Sequence, residues 1–99
     1  AKSFDGAGVL SPFVNADQFP DPTDIGIRLT INGEVRQDGN SRDMLNPIVP
    51  LIQHIAGHFS LQAGDVVLTG TPSGVGPLNS GDELLLELPG ASRFETRVL

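Results

Sequence analysis

The sequence has no cysteine, no tryptophan and no tyrosine, and Lys2 is its only lysine. Without cysteine there can be neither a disulfide framework nor a thiolate metal site. No apolar run approaches the roughly 20 residues of a membrane-spanning helix. The opening residues lack the charged-then-apolar pattern of a secretory leader, so a cytoplasmic location is the expectation. Positive charge is scarce as well: six basic residues face twelve acidic ones, for a net charge of -6. Such a chain repels phosphate backbones and anionic lipid surfaces, and no basic stripe or aromatic platform offsets this. Nucleic acid and membrane are therefore excluded as partners.

What is present is globular in composition. Hydrophobic residues make up 38% and charged residues 18% of 99 residues, enough for one small domain. Twelve glycines and eight prolines point to short elements joined by tight turns, not to a helical bundle. Residues 9–14 read as a short extended segment, and residues 16–24, with Asp17, Pro20, Asp21, Pro22 and Asp24, as surface turns. From Ile25 to Asn32 apolar and polar residues alternate strictly, the period of a half-buried strand. Asn32-Gly33 supplies the two positive-φ positions of a type I′ turn, which predicts a β-hairpin returning through Glu34–Gln37. Asp38–Met44 reads as polar and turn-like.

The period then changes. Ile48, Leu51, Ile52, Ile55, Ala56 and Phe59 share one helical stripe, predicting a single helix near residues 47–59. Asn46 is its expected cap and Pro47 its first residue. Val66–Thr69 reads as a short strand buried on both faces. Glu83–Leu88 and Arg93–Val98 read as two further strands around the Pro89-Gly90 turn. The order of strands, one helix and strands again defines an α+β, mostly β fold.

Three places are candidates for chemistry. Lys2 alone reads as a solvated surface charge, but it stands beside Phe4 and just before the Gly-rich Asp5-Gly6-Ala7-Gly8. His54 and His58 are four apart and share a helix face. With no Glu in the zinc-protease position and no third ligand nearby, they read as boundary histidines. The run Thr69-Gly70-Thr71-Pro72-Ser73-Gly74-Val75-Gly76 is glycine-rich like a phosphate cradle but lacks the Gly-Lys-Ser/Thr ending of a P-loop. Two readings of it stand side by side: an ordinary tight turn, or a loop whose N–H groups and Thr71 hydroxyl hold a carboxylate or enolate oxygen. The acidic residues are scattered through turns and form no cluster suited to a hard cation.

Several segments, taken in order, resemble the fumarylacetoacetate hydrolase family. They are Lys2-Ser3-Phe4-Asp5-Gly6, Ser11-Pro12-Phe13-Val14, Asn32 to Gly39, Asp43-Met44, Ala63 to Gly76, and Ser80-Gly81-Asp82. The resemblance covers nearly the whole chain and is nearest to small single-domain acylpyruvate hydrolases and oxo-acid isomerases. It implies that residues 1–99 are the C-terminal half of one catalytic domain, a mixed β-sandwich roll. It also implies a homodimer and a Mg²⁺ or Mn²⁺ ion whose Glu and Asp ligands lie upstream of Lys2, so no metal ligand is expected in this chain.

The residues carried over are Lys2, as a catalytic group near metal and substrate, and Gly70 and Thr71, as substrate-binding groups. The implied reaction is hydrolytic cleavage of a C–C bond in a small 1,3-dioxo acid, with an enolate stabilised by the metal as Lewis acid. Oxaloacetate tautomerisation or decarboxylation is the alternative within the family. A non-catalytic fragment or binding domain is the alternative of another class, and the isolated chain is expected to be inactive.

Overall fold

The computed structural model describes residues 9–99. Four strands form one antiparallel sheet: β1 (Gly26–Ile31), β2 (Glu34–Asn40), β3 (Glu83–Leu88) and β4 (Ser92–Arg97), in the spatial order β2-β1-β3-β4. One helix, α1 (Ile48–Ala56), and two single 3₁₀ turns, Ala16–Gln18 and Ser41–Asp43, complete the regular structure among the described residues. The α+β, mostly β class expected from the sequence is the class observed.

The hairpin is built as its residues dictate. Asn32 and Gly33 take φ values of 50° and 82°, the left-handed pair a type I′ turn requires. The returning strand runs past Gln37 to Asn40, three residues further than the sequence suggested. Asp38, Gly39 and Asn40 pair with Arg28, Ile27 and Gly26, so their polarity marks an edge strand and not a turn.

The ladder carries a β-bulge. Leu29 pairs with Gln37 but Thr30 pairs with Val35, leaving Arg36 as the extra residue. Directly opposed residues share a face, so Gln37 and Gly39 join the face of Leu29 and Ile27, whereas Val35 joins that of Thr30. Without the bulge, Val35 and Gln37 would lie on the same face.

That apolar face is completed by Ile31, Leu84, Leu86, Leu88 and Phe94, aligned across β1, β3 and β4. The opposite face is charged. Arg28 there lies between its two cross-strand partners, 3.6 Å from Asp38 and 3.9 Å from Glu87. Among the described residues only Ile31 is buried, at 4% exposure, and Ile27 and Leu86 remain 42% and 40% exposed. The apolar face is therefore covered only in part.

Four local expectations need correction. Pro47, not Asn46, occupies the N-cap position of α1, and no side chain caps the helix. Asn46 lies one residue too early to reach the free N–H groups. The helix ends at Ala56, where the Gly57 N–H donates to the carbonyls of Gln53 and His54, so Phe59 lies beyond it and is 70% exposed. Val66–Thr69 is not a strand. Among the described residues no backbone pairs with it in a ladder, and Val66 and Leu68 are 50% and 65% exposed instead of buried. Residues 9–14 likewise pair with no strand among the described residues.

Candidate functional site

The loop Gly70–Gly76 crosses the apolar face of the sheet beside β2, and three features of β2 hold it there. The Gln37 side-chain amide donates to the Thr71 hydroxyl oxygen at 2.8 Å and to the Pro72 carbonyl oxygen at 2.8 Å. Gly39 lets Pro72 lie flat on the strand: a Cβ at Gly39 would come 2.9 Å from the Pro72 Cβ. Gly74, at a φ of 103°, meets the Arg36 carbonyl so closely that any Cβ there would overlap the Arg36 oxygen. The bulge serves this docking directly, because it turns Gln37 and Gly39 toward the loop.

Gly70 has a φ of 106° with no atom within 4 Å of where a Cβ would stand, so it is required for its backbone conformation and not for close packing. Thr71 is exposed and Gln37 half-buried, leaving the Thr71 hydroxyl within reach of a ligand. Beside the loop runs a groove of about 860 Å³, whose lining includes Ile25, Ile27, Leu51, Thr71, Pro72 and Leu88. A second groove of about 460 Å³ lies on the charged face near Thr30, Glu95 and Arg97, and contains none of the candidate residues.

The turn at the other end of β1 is tied by a separate network. Asn32 Nδ2 donates to Asp82 Oδ1 at 3.0 Å, the Glu83 N–H donates to Asn32 Oδ1 at 2.9 Å, and the Asn79 N–H donates to Asp82 Oδ2 at 2.8 Å. The Asn79 backbone and the Asn32 amide hold the Asp82 carboxyl below the usual carboxylate range. The Thr23 hydroxyl and N–H do the same to Asp21. Both groups have structural partners on solvent-exposed turns.

Of the sequence-derived candidates, Gly70 and Thr71 fall together in the docked loop, while Lys2 lies outside the described residues. His54 and His58 sit with ring centroids 4.8 Å apart, and His58 Nδ1 is 3.0 Å from the His54 carbonyl oxygen. Among the described residues no group of three or more His, Cys, Asp or Glu side chains comes together as a metal site. These residues therefore do not fit a resident divalent ion. Among them, too, no helix is long and apolar enough to cross a membrane. Sequence reasoning missed Gln37, the residue with two bonds to the loop. Simple alternation places it with Val35, and nothing in the residue order announces the bulge.

The whole chain, residues 1–99, matches the family described as fumarylacetoacetate (FAA) hydrolase C-terminal, and the protein belongs to the fumarylacetoacetate hydrolase family. Among its relatives, the oxaloacetate tautomerase YcgM of Escherichia coli (strain K12) is 53% identical over 100 residues, covering 100% of this chain and 45% of the relative. A solved structure of a protein assigned to the same family from Yersinia pestis CO92 superposes with a TM-score of 0.91 at 50% identity, over 100% of this chain and 46% of that one. The maleylpyruvate hydrolase of Sphingobium sp. SYK-6, solved with manganese(II) and pyruvate, superposes with a TM-score of 0.79 at 33% identity, over 85% of this chain and 32% of that one. The chain thus spans under half the length of these relatives. Its sheet and helix correspond to the C-terminal part of the family fold, as the resemblance implied.

Proposed function

We propose that residues 1–99 form the C-terminal half of a catalytic domain that interconverts or cleaves small 2-oxo acids, and that the docked loop at Gly70–Thr71 receives the substrate carboxylate. The observation that carries this reading is the loop itself. It presents an accessible hydroxyl on a glycine-shaped backbone and is fastened to a strand. Preorganised donors of this kind stabilise a fixed anionic oxygen because they need no reorganisation when the charge arrives.

In this reading the Thr71 hydroxyl donates to a carboxylate oxygen and the Gly70 backbone lends its N–H to the same oxygen, fixing one end of the substrate. Lys2 supplies positive charge against the enolate that develops at the other end. Keto–enol interconversion needs that enolate stabilisation and the transfer of one proton between carbon and oxygen, with no attacking water, and the 53% identity to an oxaloacetate tautomerase favours it. Hydrolytic cleavage of a 1,3-dioxo acid such as an acylpyruvate is the second reading, favoured by the maleylpyruvate hydrolase solved with pyruvate bound. The manganese in that relative supports a Mg²⁺ or Mn²⁺ requirement here, with the ligands lying outside the described residues. A homodimer and a cytoplasmic location complete the proposal.

The test is a two-substrate assay on the gene product that carries residues 1–99. Oxaloacetate enol-to-keto conversion and acylpyruvate cleavage are each followed by ultraviolet absorbance, with Mg²⁺, with Mn²⁺ and with chelator. Faster conversion of oxaloacetate than cleavage of acylpyruvate supports tautomerisation, and the reverse order supports hydrolysis. Activity on neither substrate refutes the proposal.

A further inference from the structure

We infer that Gln37 is a positioning residue that sets the direction of the Thr71 hydroxyl proton. This rests on the reading of Thr71 as a substrate-holding residue given above. The geometry fixes the chemistry. The Pro72 carbonyl oxygen can only accept, so the Gln37 atom 2.8 Å from it must be the amide nitrogen. That nitrogen has two hydrogens and two acceptors, the second being the Thr71 Oγ1, also at 2.8 Å.

Thr71 Oγ1 therefore accepts from Gln37, and its own hydrogen is left to donate elsewhere. The backbone around the hydroxyl is held by the same clamp and by the close seating of Gly74 and Gly39 on β2. The result is a hydroxyl oriented as a donor toward an approaching acceptor such as a carboxylate. A free threonine hydroxyl has no such bias, since it rotates to suit any partner.

The isosteric change Gln37→Glu reverses this arrangement. A carboxylate cannot donate, so the Thr71 hydroxyl turns to donate to Glu, and its proton is lost to the substrate. Gln37→Met removes the clamp without adding charge. Steady-state kinetics with oxaloacetate would be measured on the gene product carrying residues 1–99 as wild type, Gln37→Glu, Thr71→Val, and the two changes combined. Loss of one such hydrogen bond is expected to raise KM about tenfold in Gln37→Glu. In the Thr71→Val background the same change should alter KM by less than about twofold, because residues that act through one another are not additive. An unchanged KM in Gln37→Glu, or an equal effect in both backgrounds, overturns the inference.

A second measurement judges the clamp without any activity. Three-bond couplings to the Thr71 methyl carbon should show one χ1 rotamer in the wild type and averaging in Gln37→Met. Averaging in the wild type, or one rotamer in both, overturns the inference. If the protein turns over neither oxaloacetate nor acylpyruvate but these couplings behave as expected, the substrate reading fails and the clamp stands.

Discussion

Gly74→Ala tests the docking of the loop most sharply, and Gly70→Ala is its matched control. Both glycines have nearly the same positive φ, 103° and 106°. An alanine at either position is strained by about 1–3 kcal/mol, the usual magnitude for a non-glycine residue in such a region. Their surroundings differ. A Cβ at Gly70 meets nothing within 4 Å, whereas one at Gly74 overlaps the Arg36 carbonyl oxygen. Arg36 is part of the strand backbone, so no rotamer change relieves the overlap, and the loop must lift off β2. Lifting breaks both Gln37 bonds, at about 0.5–1.5 kcal/mol each. The expected loss is therefore about 1–3 kcal/mol greater for Gly74→Ala than for Gly70→Ala. Urea unfolding reads the total, and amide hydrogen exchange of residues 70–76 shows whether the loop has come loose. Equal destabilisation by the two variants, with unchanged exchange in the loop, would refute the docking argument.

Other expectations concern the scaffold and the metal. Ile31→Ala removes the one buried apolar side chain among the described residues and should destabilise by about 2–5 kcal/mol in urea unfolding, clearly more than Leu86→Ala at the 40% exposed position. Asp82 and Asp21 have carboxyls held below their ordinary range in the folded state. Their contribution is thus present above the unfolded carboxylate pKa of about 3.9 and is lost as pH falls through the lower folded value. Urea midpoints should drop on acidification from pH 7 to 3, and Asp82→Asn should flatten that dependence. Because the described residues assemble no metal site, calorimetric titration of Mn²⁺ into the 99-residue chain should show no tight binding, and micromolar affinity would contradict this.

Much of the fold was legible because its signals are local. Alternation over residues 25–32 and the Asn32-Gly33 pair determined the hairpin, since a type I′ turn admits few other residues. The helical stripe from Ile48 to Ile55 fixed α1, although Pro47 displaced the cap that Asn46 was expected to provide. What failed depends on neighbours. Val66–Thr69 has the composition of a buried strand, but a strand exists only where another backbone pairs with it, and no composition reveals that. The site was half legible: Gly70 and Thr71 stand out as a glycine-rich turn with a hydroxyl, whereas Gln37 depends on a bulge at Arg36 that reverses the face of everything after it. Ordinary polar residues such as Gln37 and Gly39 become informative only once the register is known.

The proposed role of the loop fastened to β2 is to receive a carboxylate at Thr71. A crystal structure of the gene product carrying residues 1–99 with oxalate, a non-reactive mimic of a 2-oxo acid, tests it directly. An oxalate oxygen is expected about 3 Å from Thr71 Oγ1, and from the Gly70 N–H, with Gln37 still donating to the far side of the hydroxyl. Oxalate bound away from the loop, or a Thr71 hydroxyl turned to donate toward Gln37, would contradict it.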